Sequence, residues 1–304
     1  MAASKSKYFL AGIIPYIIWG TMSIPLRSIK YFPPQEILYY RIFISILMVW
    51  TTILLFRKDA LKKDISYVKL LTSKRKIKLL LLTVFSALLI TGNWFTYIYA
   101  VNSVSLKAAA FAYMVCPLLT ALCGFLILKE RLTKTKVIAI VIAFISIILL
   151  ATGSLHEVIW AVIIASFYAL YVITLKVIQN VDKFNFLGVQ LILSGLIMLP
   201  MYLLSSNSFP TESFFWWHIF LIAIVFTIIP LFLNSYALVG MPSSALGILI
   251  YLNPIVAFAV AFFYFKEKID IHQLFAYLLL LLSIFIFNLQ LLKSVFTRNS
   301  NHIV

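Results

Sequence analysis

Acidic residues are scarce in this chain: nine Asp and Glu stand in 304 residues against 25 Lys and Arg, charged residues total 11%, and 63% are apolar. A soluble domain carries about 25% charged residues, so a soluble globular enzyme is excluded. A net charge of +16 in a water-soluble protein would point to nucleic acid. Here the basic residues sit in loops between long charge-free stretches, and no nucleic-acid partner is expected. Cysteine is almost absent; Cys116 and Cys123 both lie in apolar surroundings and imply neither a disulfide nor a metal. No Asp or Glu falls mid-span, which argues against a carboxylate proton relay. No Gly-rich phosphate loop, nucleophile elbow or zinc motif is present, so ATP coupling, an intramembrane hydrolase and any cofactor are not expected. The four histidines, His156, His218, His272 and His302, fall near span ends or in the tail.

What the chain has instead is length without charge. Charge-free stretches run over 8–26, 79–106, 108–128, 137–156, 158–175, 184–211 and 271–292, each long enough to cross a hydrocarbon core of about 30 Å as one helix. The stretch 213–265 is too long for one crossing and must turn once, at Val239-Gly240-Met241-Pro242. A further helix starting after Pro33-Pro34 places Arg41 inside the membrane. The expectation is an all-α integral membrane protein in the lipid bilayer, with ten transmembrane helices near 8–29, 35–56, 78–102, 104–128, 134–152, 155–178, 184–204, 214–238, 242–265 and 271–293. The short basic leader precedes a stretch longer than a signal-peptide core, with no cleavage pattern, so the first span is expected to stay. No lipidation motif begins or ends the chain.

With ten spans both termini share a side. Nineteen Lys and Arg fall on that side and five on the other, which makes both termini cytoplasmic by the positive-inside rule.

An internal repeat is visible. A shift of 137 residues carries Pro117 onto Pro254, Lys129-Glu130 onto Lys266-Glu267, Ala100 onto Ala237 and Leu132 onto Ile269. A shift of 149 carries Arg27 onto Lys176, Trp19 onto Tyr168 and Arg41 onto Gln190, the difference being absorbed by a long basic loop from Arg57 to Lys78. The domains are therefore two five-helix halves, 1–153 and 154–304. Five is odd, so the second is inverted, the arrangement of transporters that rock two halves about one central site.

The fourth span carries Ala108, Ala112, Cys116, Thr120 and Gly124 four apart, and the ninth Ala245, Asn253, Ala257 and Ala261, which suggests that these spans cross closely. Pro117 and Pro254 lie within them, each freeing a carbonyl that can kink the helix or face a wet cavity. Arg41, roughly 10 Å into the second span, either snorkels to the outer surface or attracts anions at an external mouth. The amides Asn93, Asn102, Asn234, Asn253 and Gln190 are interhelical glue by default, with Asn93 and Asn253 the two nearest the expected site. The aromatics Trp19, Trp94, Tyr97, Tyr113, Tyr168 and Tyr251 fall inside spans, whereas Trp50, Trp216 and Trp217 suit interfacial belts. The expected binding set is Trp19, Arg41, Asn93, Tyr97, Tyr113, Pro117, Tyr168, Asn234, Tyr251, Asn253 and Pro254. Such a set suits a neutral, zwitterionic or partly apolar small molecule.

The order and spacing of several short motifs carry a family resemblance. They are Tyr16-Ile17-Ile18-Trp19-Gly20, Glu36-Ile37-Leu38 with Arg41, Gly92-Asn93-Trp94 with Ala100-Val101-Asn102, and Tyr113 through Pro117 to Lys129-Glu130-Arg131. The chain resembles the EamA branch of the drug/metabolite transporter superfamily, and within it the RarD permeases. The resemblance implies a bacterial cytoplasmic-membrane permease working by alternating access, its cavity lined by spans one, three, four, six, eight and nine. The function expected is a secondary transporter of a small amphiphilic metabolite or drug. A passive pore or transport-accessory protein is the alternative, and a membrane enzyme lacks a polar catalytic cluster.

Overall fold

The computed structural model describes residues 2–178, 180–205, 209–240 and 249–300. Among these residues all regular structure is helical. Nine helices among the described residues are long and apolar enough to span: Lys7–Ser28, Pro34–Phe56, Ser73–Val104, Leu106–Leu128, Lys134–Gly153, Leu155–Val177, Lys183–Leu203, Ser213–Asn234 and Ile271–Leu289. A shorter apolar helix, Leu252–Tyr264, holds the place of the ninth crossing. The expected start of that crossing and its turn at Met241-Pro242 lie outside the described residues. Large apolar side chains such as Leu126, Phe144, Leu196 and Phe263 point outward, as lipid contact requires. The protein is a multi-pass membrane protein.

The helices are named here in chain order: α1 Ala2–Gly20, α2 Ser23–Ser28, α3 Pro34–Phe56, α4 Lys58–Leu70, α5 Ser73–Tyr99, α6 Leu106–Leu128, α7 Lys134–Gly153, α8 Leu155–Val177, α9 Lys183–Leu203, α10 Ser213–Ala223, α11 Ile229–Gly240, α12 Leu252–Ala259 and α13 Ile271–Ser300. Their ends follow local chemistry. Pro34 opens α3 at a position where its missing N–H costs nothing. Ser105 caps α6 by accepting from the Ala108 N–H at 3.1 Å, and Asp182 caps α9 through the N–H groups of Phe184 and Asn185.

One expectation needs correction. The basic segment after Arg57 is no loop, because α4 occupies Lys58–Leu70 and α5 begins at Ser73. In α4, Leu61, Ile65 and Val68 recur at helical spacing while Lys62 and Lys63 fall on other faces, and no residue of this helix is buried. That pattern belongs to a helix lying in the membrane interface. Asp64 fastens it to the start of α9, accepting from the Asn185 side chain at 2.6 Å and the Asp182 N–H at 3.0 Å.

The two halves repeat in their backbone geometry. Lys129 and Lys266 are both left-handed at φ 55°, and one residue later Glu130 N–H donates to the Gly124 carbonyl at 3.1 Å while Glu267 N–H donates to Ala261 at 3.0 Å. They also meet about a two-fold. Ser146 of α7 donates to the Ala276 carbonyl of α13, and Ser283 of α13 donates back to the Ala139 carbonyl of α7, both at 2.7 Å. A shift of 137 exchanges the two bonds, and their crossed order makes the two helices antiparallel. Helix contacts also exchange when the halves are swapped: α1 with α11 matches α5 with α8, α1 with α12 matches α6 with α8, and α3 with α10 matches α5 with α9. Span four crosses span nine as expected, and packs more extensively on α8.

Candidate functional site

Between the halves lies a cavity of about 190 Å³ lined by Trp19, Met22, Arg41, Ile90, Asn93, Trp94, Tyr97, Tyr113, Tyr168, Tyr171, Leu187, Phe226, Thr227, Leu231 and Asn253. Seven of the eleven residues expected from sequence are therefore in its wall, and both halves contribute. Trp19 and Tyr168, counterparts under the repeat, both face it.

Each half also reaches into the backbone of the other. The Trp19 indole donates to the Phe226 carbonyl at 2.9 Å, and the Asn93 amide donates to the Ile164 carbonyl at 3.0 Å. The oxygen of Asn93 accepts from the Tyr113 hydroxyl at 3.3 Å. Asn93 thus acts as glue and as wall together. A chain of rings crosses three helices, with centroids 5.4 Å apart from Tyr97 to Tyr113, 5.8 Å from Tyr113 to Tyr168 and 6.2 Å from Tyr168 to Tyr171. Tyr171 donates to Gln190, which in turn donates to Ser86.

Arg41 departs from both readings offered for it. It neither snorkels to the surface nor stands at an open mouth, because it is 5% exposed. Its Nη2 is 3.5 Å from the Thr227 hydroxyl and its guanidinium lies 4.9 Å from the Trp94 ring centroid, while Nη1 has no hydrogen-bond partner among the described residues. None of the nine carboxylates lines the cavity. Its counterpart Gln190, by contrast, is buried in the bridge between Tyr171 and Ser86, so the cavity carries one positive charge and is asymmetric at this position.

Four expected residues lie elsewhere. Asn234 accepts from the Tyr16 hydroxyl at 3.2 Å and ties α11 to α1 behind the wall. Tyr251 is buried in the apolar core. Pro117 and Pro254 are not wall residues, and the two differ: α6 runs unbroken through Pro117, whereas Pro254 occupies the first turn of α12, just after the break at residues 250–251. A proline in a first turn removes no intrahelical bond, so the discontinuity precedes it.

Sequence reasoning missed Met22, Ile90, Tyr171, Leu187, Phe226, Thr227 and Leu231. Most carry no distinguishing signal among so many apolar residues. Thr227 had one, since Pro230 removes the N–H that a regular helix would send to the Phe226 carbonyl, and a π-helical turn occupies Ile224–Ile228 here.

At the end of the bundle where spans one and two, three and four, and nine and ten join, Glu267 gathers three donors. It forms an ion pair with Arg27, and its two oxygens accept from the Leu106 N–H at 3.0 Å and the Lys107 N–H at 3.1 Å. This places a carboxylate at the N-terminus of α6, where the helix dipole favours it. The two-fold counterpart at the other end pairs Glu130 with Lys176 at 3.2 Å. The residues corresponding to Leu106 and Lys107, Ser243 and Ser244, lie outside the described residues.

Comparison with known proteins accounts for this architecture. The model of the EamA-like transporter family matches residues 6–152 and again residues 155–289. The chain belongs to the EamA-like transporter family. An uncharacterized transporter of Vibrio cholerae is 30% identical, with 95% of this chain and 94% of that protein covered. The uncharacterized transporter YojE of Bacillus subtilis is 29% identical over 90% and 91%, and Protein RarD of Escherichia coli 27% identical over 91% and 93%. A solved crystal structure shares the fold at a TM-score of 0.62 and 17% identity, covering 94% of this chain and 98% of that one.

Proposed function

We propose that this EamA-family chain is a secondary transporter that moves a small amphiphilic molecule across the bacterial cytoplasmic membrane by alternating access, with both termini cytoplasmic. The observation that carries the reading is the cavity between two-fold-related halves, walled by rings and amides from both. Equivalent ion pairs at the two ends, Arg27 with Glu267 and Lys176 with Glu130, support alternation. The first is largely buried, with side chains 21% and 13% exposed, and the second is open to solvent at 49% and 44%. This conformer is accordingly closed at the Glu267 end. The 19 to five distribution of basic residues supports the orientation.

Purified protein in liposomes tests the reading. Preloading with unlabelled substrate should accelerate uptake of the labelled compound, and initial rates should saturate. Flux linear in concentration, without acceleration by the opposite side, would instead mean a passive pore.

A further inference from the structure

We propose that the cavity takes a small organic monocarboxylate with an aromatic or branched apolar body, its carboxylate held by Arg41. This rests on the reading of the cavity as the substrate site. Arg41 is a cation within a membrane span, 5% exposed, with one Nη unpartnered among the described residues, the other 3.5 Å from a single hydroxyl, and no acidic side chain in the wall. Such a charge in a low-dielectric interior is costly until an anion meets it. A guanidinium presents a flat fork that matches a carboxylate.

Three features narrow the class. A single positive charge balances a monoanion, whereas a phosphate dianion would leave excess negative charge inside the membrane. The cavity volume of about 190 Å³ is a little above the ~150 Å³ of an apolar cavity that holds benzene, which fits a compact acid. Apart from the Asn93 and Asn253 amides and the Thr227 hydroxyl, the remaining wall is rings and aliphatic groups, and no carboxylate awaits an ammonium. An acid without an amino group is therefore the better occupant than an amino acid. Thr227 belongs to the same site, because its π-helical turn delivers the hydroxyl to Arg41.

The test compares acids with their neutral amides on detergent-solubilised full-length protein at pH 7: benzoate with benzamide, phenylacetate with phenylacetamide, 4-methylpentanoate with its amide, and inorganic phosphate as a separate probe. Binding is followed by tryptophan fluorescence, since Trp19 and Trp94 face the cavity. At least one acid should bind about tenfold or more tightly than its amide. Arg41→Gln should abolish that preference and Arg41→Lys should keep part of it. Should Arg41→Gln fail to fold, Arg41→Lys takes its place: it should narrow the acid-over-amide ratio by losing the fork geometry, and a ratio equal to that of the unmodified protein would overturn the proposal. Equal binding of every acid and amide, preference for phosphate, or an acid preference unchanged in folded Arg41→Gln would overturn the proposal. Binding with the predicted preference but no saturable flux would fault the transport reading and leave the anion site standing. Saturable flux of neutral compounds with no acid preference would do the reverse.

Discussion

Asn93 shows how one side chain serves packing and cavity together. It is 1% exposed, and its amide joins three helices by donating to Ile164 of α8 and accepting from Tyr113 of α6. Asn93→Ala removes both bonds and leaves the Tyr113 hydroxyl without this acceptor in an apolar interior. The expected loss is about 1 kcal/mol of stability, in the range found for polar contacts between membrane helices, read as an earlier midpoint in a denaturant titration of detergent-solubilised protein. An unchanged midpoint would show that water or another group replaces the amide. At this scale the sequence was legible where a polar or aromatic residue sits mid-span, as with Trp19, Asn93, Tyr97, Tyr113 and Tyr168. It misled for Asn234, because a polar atom inside a span can be satisfied on either side of a helix and its partner Tyr16 lies 218 residues away, and for Tyr251, whose ring packs in the apolar core.

At the scale of elements, the informative feature is the interruption of span eight. Pro230 withholds one N–H from the Phe226 carbonyl, the chain takes a π-helical turn at Ile224–Ile228, and the Trp19 indole donates to that carbonyl from the other half. The same turn aims Thr227 at Arg41. Trp19→Phe should therefore cost about 1 kcal/mol, and less in a Pro230→Ala background, where the helix can supply a donor of its own. A double-mutant cycle of unfolding free energies measures the coupling; strict additivity would mean that Pro230 and the indole do not compete for the same oxygen. Eight of the nine full-length spans among the described residues were readable from charge-free length alone, and the second, which carries Arg41, was read from Pro33-Pro34. Which proline breaks its helix was not readable, as Pro117 and Pro254 show. Helix α4 was hidden because its face of Leu61, Ile65 and Val68 is too short to register as an apolar run and is diluted by lysines.

For the molecule as a whole, the two-fold gives the proposed alternation two equivalent ends. The reciprocal Ser146 and Ser283 bonds fix α7 and α13 against each other, while the ends of the bundle carry equivalent closures that are made unequally: Glu267 is bound by Arg27 and two backbone N–H groups, and Glu130 meets Lys176 near solvent. If these closures alternate, weakening one shifts the population toward the conformer that opens there. Glu267→Gln keeps the shape and removes the charge that pairs with Arg27 and suits the start of α6. The readout is a thiol placed in the cavity by Tyr113→Cys, in a background with Cys116 and Cys123 replaced, and a membrane-impermeant reagent added outside intact cells. Glu267→Gln should raise the labelling rate several-fold, and Glu130→Gln should lower it. Exchanging the charges, Arg27→Glu with Glu267→Arg, should not restore slow labelling, because the Leu106 and Lys107 N–H groups accept no cation. Equal rates in all three backgrounds, with a permeant reagent still labelling the thiol, would refute the closure at Glu267. The opposite order, with Glu130→Gln accelerating and Glu267→Gln slowing the reaction, would keep the alternation and reverse the orientation inferred from the basic loops.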